Sequence, residues 1–240
     1  MTDMRKSFVT FFLMCVMVSA WAVELPKQGF GLQIGYAQPT LRINDSSHKD
    51  TLSTNVKMNG FKVGVVYDGS IIAGFGTSIG LNYTFGAYNS GWASKNTYGM
   101  KYPRSRQMVT YNELELFVDW QYKFEIAKET YLMLYTGPTI QCGLGWRMRQ
   151  DYQQYEGEEY TPKYYSGYKA EDPDQTFKRL NVTWGVGAGF QYKRYFLRGG
   201  YDFGLIVPYA NADFSNGIHT RGRLDQWAIK IGMYFWYQKP

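Results

Sequence analysis

Charged side chains that could carry acid–base chemistry recur at every second position of apolar stretches in this 240-residue chain. In the clearest case, Glu113, Glu115 and Asp119 share one face with Phe117 and alternate with leucine and valine. Carboxylates held close together could exchange protons, bind an ion or pair with nearby bases. The complete set with this spacing is Lys62, Glu113, Glu115, Asp119, Arg198, Asp202 and Lys230. We interpret it first as a set of structural ion pairs, with an ion path or ligand site as the alternative.

Nucleophilic catalysis would need a serine or cysteine beside a base, and two histidines are the candidates. His48 follows Ser47, and His219 lies near Ser215. Neither belongs to a nucleophile motif such as G-x-S-x-G, and no metal spacing such as H-E-x-x-H or C-x-x-C occurs. The glycines of 185–189 lie inside an alternating stretch rather than at a strand-to-helix turn, so they are not a phosphate loop. We therefore predict no catalytic, metal or cofactor site.

Aromatic residues concentrate in two segments without alternation, 86–107 and 147–177; the first also carries a basic cluster, and the second also carries acidic residues. Tyrosine and tryptophan offer large, rigid contact surfaces, and clustered basic residues attract phosphates. The candidate contact residues are Trp92, Lys101, Arg104, Arg106, Tyr155, Tyr160, Tyr164 and Tyr165. The segment 147–177 predicts contact with a protein, a glycan or a divalent cation that bridges lipid headgroups, and the basic cluster of 86–107 predicts contact with the phosphates of lipopolysaccharide. The alternative is a solvated or shielding loop.

Eight stretches position these residues, and each alternates apolar with small or polar side chains, which is the period of a β-strand. They cover about 29–40, 57–67, 71–85, 108–123, 130–146, 178–192, 194–206 and a closing stretch from Leu224. The apolar face of the closing stretch is formed by Trp227, Ile229, Ile231, Met233, Phe235 and Tyr237. Pro138 lacks a backbone donor, so we expect a bulge there.

Short and long connections alternate along the chain. The short ones are at 68–70, 124–129 and 193–194, and the long ones are at 41–56, 86–107, 147–177 and 207–222. In an antiparallel meander this places every long connection at one end. Outer-membrane barrels have this arrangement, with short periplasmic turns and long extracellular loops.

The sequence therefore predicts an all-β fold, an eight-stranded antiparallel up-and-down transmembrane β-barrel. The apolar faces would meet lipid, and the sheet must close because backbone groups in hydrocarbon have to pair internally. A soluble barrel would instead expose the glycine-rich faces, where soluble surfaces carry charge. We expect aromatic belts, with Trp146, Trp184 and Trp227 toward the long connections and Trp120 toward the short turns.

Side chains fill the interior of a barrel of this size. Buried charges must pair there, and Asp202 and Lys230 on adjacent strands are the expected partners. A narrow channel stays open as an alternative. A general diffusion pore does not fit, because barrels with an aqueous channel use more strands.

The N-terminus resembles a secretory signal, predicted to be cleaved to leave residues 23–240 as the barrel domain. Residues 1–22 combine Arg5 and Lys6 with an apolar run and an A-x-A-like end. Removing them leaves only Cys142, so no internal disulfide can form. The formal charge of +6 comes from scattered residues, which together with export argues against a nucleic-acid partner.

From about Gly29 onward the layout resembles the small outer-membrane β-barrel proteins of Bacteroidetes-type bacteria, the porin family or PorT-like group. The likeness is carried by LRGGYDFGLIVPYANADF at 197–214 and by the closing IGMYF at 231–235. The resemblance implies the outer membrane of a Gram-negative, or diderm, bacterium and a link to a protein secretion system. Barrels of this kind typically end on an aromatic residue, whereas here Gln238, Lys239 and Pro240 follow Tyr237.

Together these features predict a non-enzymatic outer-membrane barrel that is structural or binds through its extracellular loops. The alternatives, in descending order, are a PorT-like component of an envelope or secretion assembly, a narrow channel and a lipid-modifying barrel enzyme.

Overall fold

The computed structural model describes residues 28–45, 53–72, 74–94, 104–153, 155, 158, 161–166, 168, 178–213 and 218–238. The predicted signal segment, residues 1–22, lies outside these ranges. Across the described ranges, no helix has the length and apolar character needed to cross a membrane.

Strands account for nearly all of the described chain. They are β1 Gln28–Asp45, β2 Ser53–Lys57, β3 Asn59–Ile72, β4 Phe75–Asn89, β5 Ala93–Ser94, β6 Arg104–Ala127, β7 Thr130–Gln153, β8 Thr161–Ser166, β9 Leu180–Tyr192, β10 Tyr195–Gly204, β11 Tyr209–Asp213 and β12 Ile218–Gln238. Eight of them pair antiparallel in the order β1-β3-β4-β6-β7-β9-β10-β12, and β12 pairs back onto β1. This closure confirms the predicted eight-stranded up-and-down barrel.

The two ends of the barrel differ as predicted. At one end, called the turn end here, β6 and β7 are joined by Lys128–Glu129, and β9 and β10 by Lys193–Arg194. Glu129 and Lys193 have positive φ of 58° and 52° at these two turns. Gly74, between β3 and β4 at the same end, has a φ of 89°. The long connections lie at the opposite, long-loop end, where β2, β5, β8 and β11 add short strands to β1, β6, β7 and β12.

The outer wall is apolar and exposed, and the inner face is small or polar and buried. On β4, for example, Ile79 and Leu81 are each 42% exposed, while Ser78, Gly80 and Asn82 between and beside them are buried. The same alternation runs along each of the eight ring strands, which follows from the two-residue period of a strand.

Two apolar clusters, called layers here, pack among the polar side chains of the interior, one toward each end. The layer at the long-loop end comprises Leu41, Met58, Val109, Tyr111, Trp146 and Leu224. The layer at the turn end comprises Val66, Phe117, Met133, Phe196 and Tyr234. Gly232 is required beside Phe196, because a Cβ at that position would lie 2.1 Å from the Phe196 ring.

Several local predictions are wrong. The expected turn at 68–70 belongs to β3, so Asp68 faces the interior opposite Ser78. Trp146, expected on the outer wall, is buried inside, because β7 carries one extra residue between the pairs Glu113–Gly143 and Asn112–Gly145.

The third error is the expected bulge at Pro138. The register of β7 with β9 continues through Pro138 opposite Trp184, without a shift. Trp184 also contacts Trp120, with ring centroids 5.8 Å apart, so these two residues do not mark opposite belts. At the end of β12 the alternation breaks again, because Tyr237 stacks on the inward Tyr234 while Trp236 is exposed.

Candidate functional site

The interior near the turn end is organised around the Asp68 carboxylate. Arg198 donates to it at 2.7 and 2.8 Å, and the Lys123 ammonium lies 3.0 Å away. The hydroxyls of Ser78, at 2.6 Å, and Tyr234 also donate to this carboxylate. Buried charges are tolerated when they are paired and hydrogen-bonded in this way. Of these residues, sequence reasoning selected only Arg198.

A second network fills the interior closer to the long-loop end. The Lys62 ammonium lies 2.7 Å from Glu115 and also donates to the Gln226 side chain. The Thr84 hydroxyl donates to Glu115 at 2.6 Å, and the Gln226 amide donates to Glu113 at 2.8 Å. Lys62, Glu113 and Glu115 are among the interior residues predicted from the sequence, whereas Gln226, whose amide joins them, is not.

Asp119, Asp202 and Lys230 line a small cavity between the two networks. The centre of a water molecule can occupy about 20 Å³ of this cavity. That is room for about one water. The expected pair of Asp202 with Lys230 does not form among the described residues, because the strand register places Lys230 opposite Arg198 and Asp202 opposite Gln226. All seven charged residues selected from the sequence thus line one interior, mostly as a packed polar layer.

The outer wall requires an apolar solvent. It exposes leucine, isoleucine, valine and aromatic side chains all round the ring, and its strands leave no open edge because the sheet is closed. Contiguous exposed apolar surface of this extent is unstable in water, whereas closed sheets with lipid-facing apolar bands are how strands cross a membrane. The chain is a transmembrane β-barrel. Barrels of this construction are those of outer membranes.

Beyond the lipid-facing part of the wall, β6 and β7 continue at the long-loop end as a sheet with β5 and β8 at its edges. Because the sequence predicts that this end faces the cell exterior, the sheet is called the extracellular sheet here. Arg106 pairs with Asp151 across β6 and β7, and Arg149 faces Tyr164 across β7 and β8. Val109 and Trp146 mark the face of β6 and β7 that turns into the barrel. Arg106 and Arg149 are each three residues from these inward side chains along the strand. They therefore lie on the opposite, outward face.

Asp151 is the centre of this outward face. Arg106 donates to one carboxylate oxygen through Nη2 at 2.6 Å and Nε at 3.2 Å, and Arg149 donates to the other at 2.7 Å. Burial would raise the pKa of Asp151, but the hydrogen bonds and charges of both arginines outweigh it and lower that pKa. Asp151 therefore stays ionised and holds the two guanidinium groups in place.

Aromatic rings flank the two arginines. The Arg106 guanidinium lies 5.0 Å from the Trp92 ring centroid, and the Arg149 guanidinium lies 5.8 Å from that of Tyr164. The fold thus brings together Trp92, Arg106 and Tyr164, three of the loop residues selected from the sequence. Arg149 and Asp151 were missed, because nothing in the sequence indicates that β7 extends this far.

The other selected loop residues are placed as follows. Arg104 begins β6 on the same outward face as Arg106. Tyr155 is exposed, and its backbone amide donates to Glu158 at 3.3 Å. Tyr165 belongs to β8 opposite Met148. Lys101 and Tyr160 lie outside the described residues.

A second arrangement of one buried carboxylate between two arginines lies on β1 and β12. This arrangement and the one at Asp151 are called clamps here. Arg42 and Arg223 form ion pairs of 2.9 and 3.0 Å with Asp225, which is fully buried beneath them. Tyr201 on β10 donates to Asp225 at 3.0 Å. The clamps are built alike, and the sheet of β6 and β7 places two further arginines, Arg104 and Arg147, on the same face as its clamp.

Within the described chain, no three His, Cys, Asp or Glu side chains are grouped as metal ligands would be. His48 lies outside the described residues, and His219 pairs with Ala212 in the β11–β12 ladder. Cys142 is exposed on the lipid-facing wall.

No family model matches this sequence, and no curated protein is significantly similar to it. Among solved structures, it is similar to Ail, the attachment invasion locus protein of Yersinia pestis, seen with the heparin analogue sucrose octasulfate. The identity is 11% and the TM-score 0.38, over 87% of this chain and 99% of Ail.

Two further outer-surface proteins are similar at the same distant level. Neisserial surface protein A shares 13% identity at a TM-score of 0.41, over 86% of this chain and 97% of that one. The outer membrane protease OmpT from Escherichia coli shares 8% identity at a TM-score of 0.30, over 90% and 100% of the two chains. These similarities are too distant to transfer a ligand or an activity.

Proposed function

We propose that the protein is a non-enzymatic barrel of a Gram-negative outer membrane that acts by binding at its extracellular sheet rather than by conducting solutes. The filled interior carries this proposal. Two apolar layers and two ion-pair networks occupy it, and the cavity between the networks admits about one water molecule. A solute path would have to break buried ion pairs, which is costly.

The extracellular sheet is the surface best suited to binding. It combines arginines held by a buried carboxylate with Trp92 and Tyr164. Arginine and aromatic residues dominate the energetics of binding surfaces because they offer rigid contact area and directional donors. Outer-leaflet lipid, a glycan or a protein would each fit these groups, and nucleic acid is not proposed as a partner.

The non-enzymatic assignment rests on how the charged groups are used. In the described chain, Asp68, Glu115 and Asp151 each accept from at least one basic side chain within hydrogen-bonding distance. Such groups are structural rather than poised for proton transfer. Turnover of labelled lipid A by the purified protein, abolished in His219→Ala, would contradict this assignment.

A role as a PorT-like component of a secretion assembly is the second proposal, and it rests on the sequence resemblance. The described turns at Lys128–Glu129 and Lys193–Arg194 present little surface to the periplasm. A protein partner would therefore contact the outer wall or the extracellular sheet. Cross-linking and co-purification from native membranes would identify such a partner.

The sealed interior is tested by single-channel recording in planar bilayers. We expect the purified, folded protein to give no discrete conductance steps. The double variant Arg198→Gly/Asp68→Ser removes the turn-end ion pair and serves as the control. It shows whether the recording detects a barrel whose interior has been opened. Steps from the wild-type protein would refute the sealed barrel and favour the narrow channel.

A further inference from the structure

The outward face of the extracellular sheet carries four arginines next to the lipid-facing wall: Arg104, Arg106, Arg147 and Arg149. We propose that this face binds the phosphate groups of a glycolipid of the lipid A class in the outer leaflet. The inference rests on the proposed binding role of the extracellular sheet and names its ligand.

Charge favours an anion at this face. The register of β6 and β7 places Arg106 beside Asp151, Met108 beside Arg149 and Thr110 beside Arg147. In the described parts of these two strands, this face carries four arginines and one acidic residue, Asp151. A guanidinium carries five donors in a planar fork that matches phosphate, so an arginine oriented by a carboxylate can bind a second anion.

The carboxylate also orders the site before any ligand arrives. Asp151 is fully buried, and it fixes Arg106 through two hydrogen bonds and Arg149 through one. The rings of Trp92 and Tyr164 lie beside the two guanidinium groups. Preorganised donors lose less side-chain entropy on binding than mobile ones. A flexible surface patch would lack this advantage.

The position on the wall favours a membrane lipid over a soluble anion. Leu144 and Ile140 on β7 are exposed on the lipid-facing wall, and Arg147 follows Leu144 by three residues. At about 3.3 Å per residue, the arginine lies roughly 10 Å further along the strand. An amphiphile can therefore place its chains against the leucine wall and its phosphates against the arginines at the same time.

The test measures lipid retention by the full-length mature barrel in phosphatidylcholine nanodiscs containing diphosphoryl lipid A, read by native mass spectrometry. The test variant is Arg147→Gln/Arg149→Gln, which leaves Arg106 paired with Asp151. The matched control is Lys163→Gln/Lys178→Gln, which removes the same charge at exposed positions; Lys163 lies opposite Gln150, on the other face of the sheet. A heat-dependent mobility shift on gels shows that each variant is folded.

We expect wild type and control to retain lipid A alike and the arginine variant to bind it roughly 25-fold more weakly, from about five-fold per basic residue. Dephosphorylated lipid A should bind all three proteins equally weakly. Equal retention by the arginine variant would overturn the inference, and so would displacement of lipid A by millimolar inorganic phosphate, which would indicate a free-phosphate site. Neither result bears on the proposal that the interior is sealed, which the conductance recording tests separately.

Discussion

At the scale of single residues, the interior of the barrel depends on a few fully buried charges. Arg198 is 1% exposed and donates to Asp68, Ser78 and Gln121. A buried charge that loses its partner is far more costly than an exposed one, because water cannot replace the missing hydrogen bonds. The interior pair Asp68–Arg198 and the Asp225 clamp on the outward face allow that difference to be measured.

We predict that Arg198→Ala lowers the free energy of unfolding by about 3–5 kcal/mol, since it leaves Asp68 buried with Lys123 as its remaining basic partner. The control is Arg223→Ala, whose side chain is 46% exposed and whose partner Asp225 keeps Arg42. Because the Arg223 side of the pair is exposed to solvent and Asp225 keeps a second arginine, the loss of Arg223 should cost about 1 kcal/mol or less. Urea unfolding in detergent micelles, followed by gel mobility, measures both. Equal losses of unfolding free energy in the two variants would show that burial does not make the Arg198–Asp68 pair more important for stability.

At the scale of strands, the extra residue in β7 decides which side chains face the barrel. Leu144 has no partner in the ladder between Glu113–Gly143 and Asn112–Gly145. A shift of one residue exchanges the two faces of a strand. The insertion therefore turns Trp146 inward to complete the apolar layer at the long-loop end, and it turns Arg147, Arg149 and Asp151 outward.

Deleting Leu144 should remove the bulge and keep this arrangement, because Gly143 and Gly145 then alternate regularly and Trp146 stays opposite Tyr111. In a Cys142→Ser background, we expect Trp146→Cys to be protected from a water-soluble maleimide and Arg147→Cys to react readily. After the deletion the order of reactivity should be unchanged. An inverted order would show that β7 loses its pairing with β6 beyond the deletion.

The same strand shows how far the sequence alone reaches. Alternation is local and strong, so it predicts the eight ring strands, their order and the interior position of Lys62, Glu115 and Arg198. Register is set by pairing between strands, which a single sequence does not display. That is why the phase of Trp146 and the pairing of Lys230 were predicted incorrectly. Asp68 was missed because an Asp-Gly-Ser sequence is also typical of a turn.

At the scale of the whole molecule, closure of the sheet leaves two surfaces for function. The ring has no open edge, and its interior is occupied by paired charges and apolar layers. What is left is the outer wall and the long-loop end, and the arginine face of β6 and β7 lies where the two meet. Orientation in the membrane therefore decides what the protein can bind.

We predict that the long-loop end faces the cell exterior and the turn end the periplasm. In the Cys142→Ser background, a bulky maleimide should label Lys163→Cys, on β8, in intact cells. It should label Lys128→Cys, in the β6–β7 turn, only after the outer membrane is permeabilised. Both side chains are exposed in the barrel, so the membrane alone accounts for the difference. The opposite pattern would invert the barrel and place the arginine face on the periplasmic side, where lipid A is not the facing lipid.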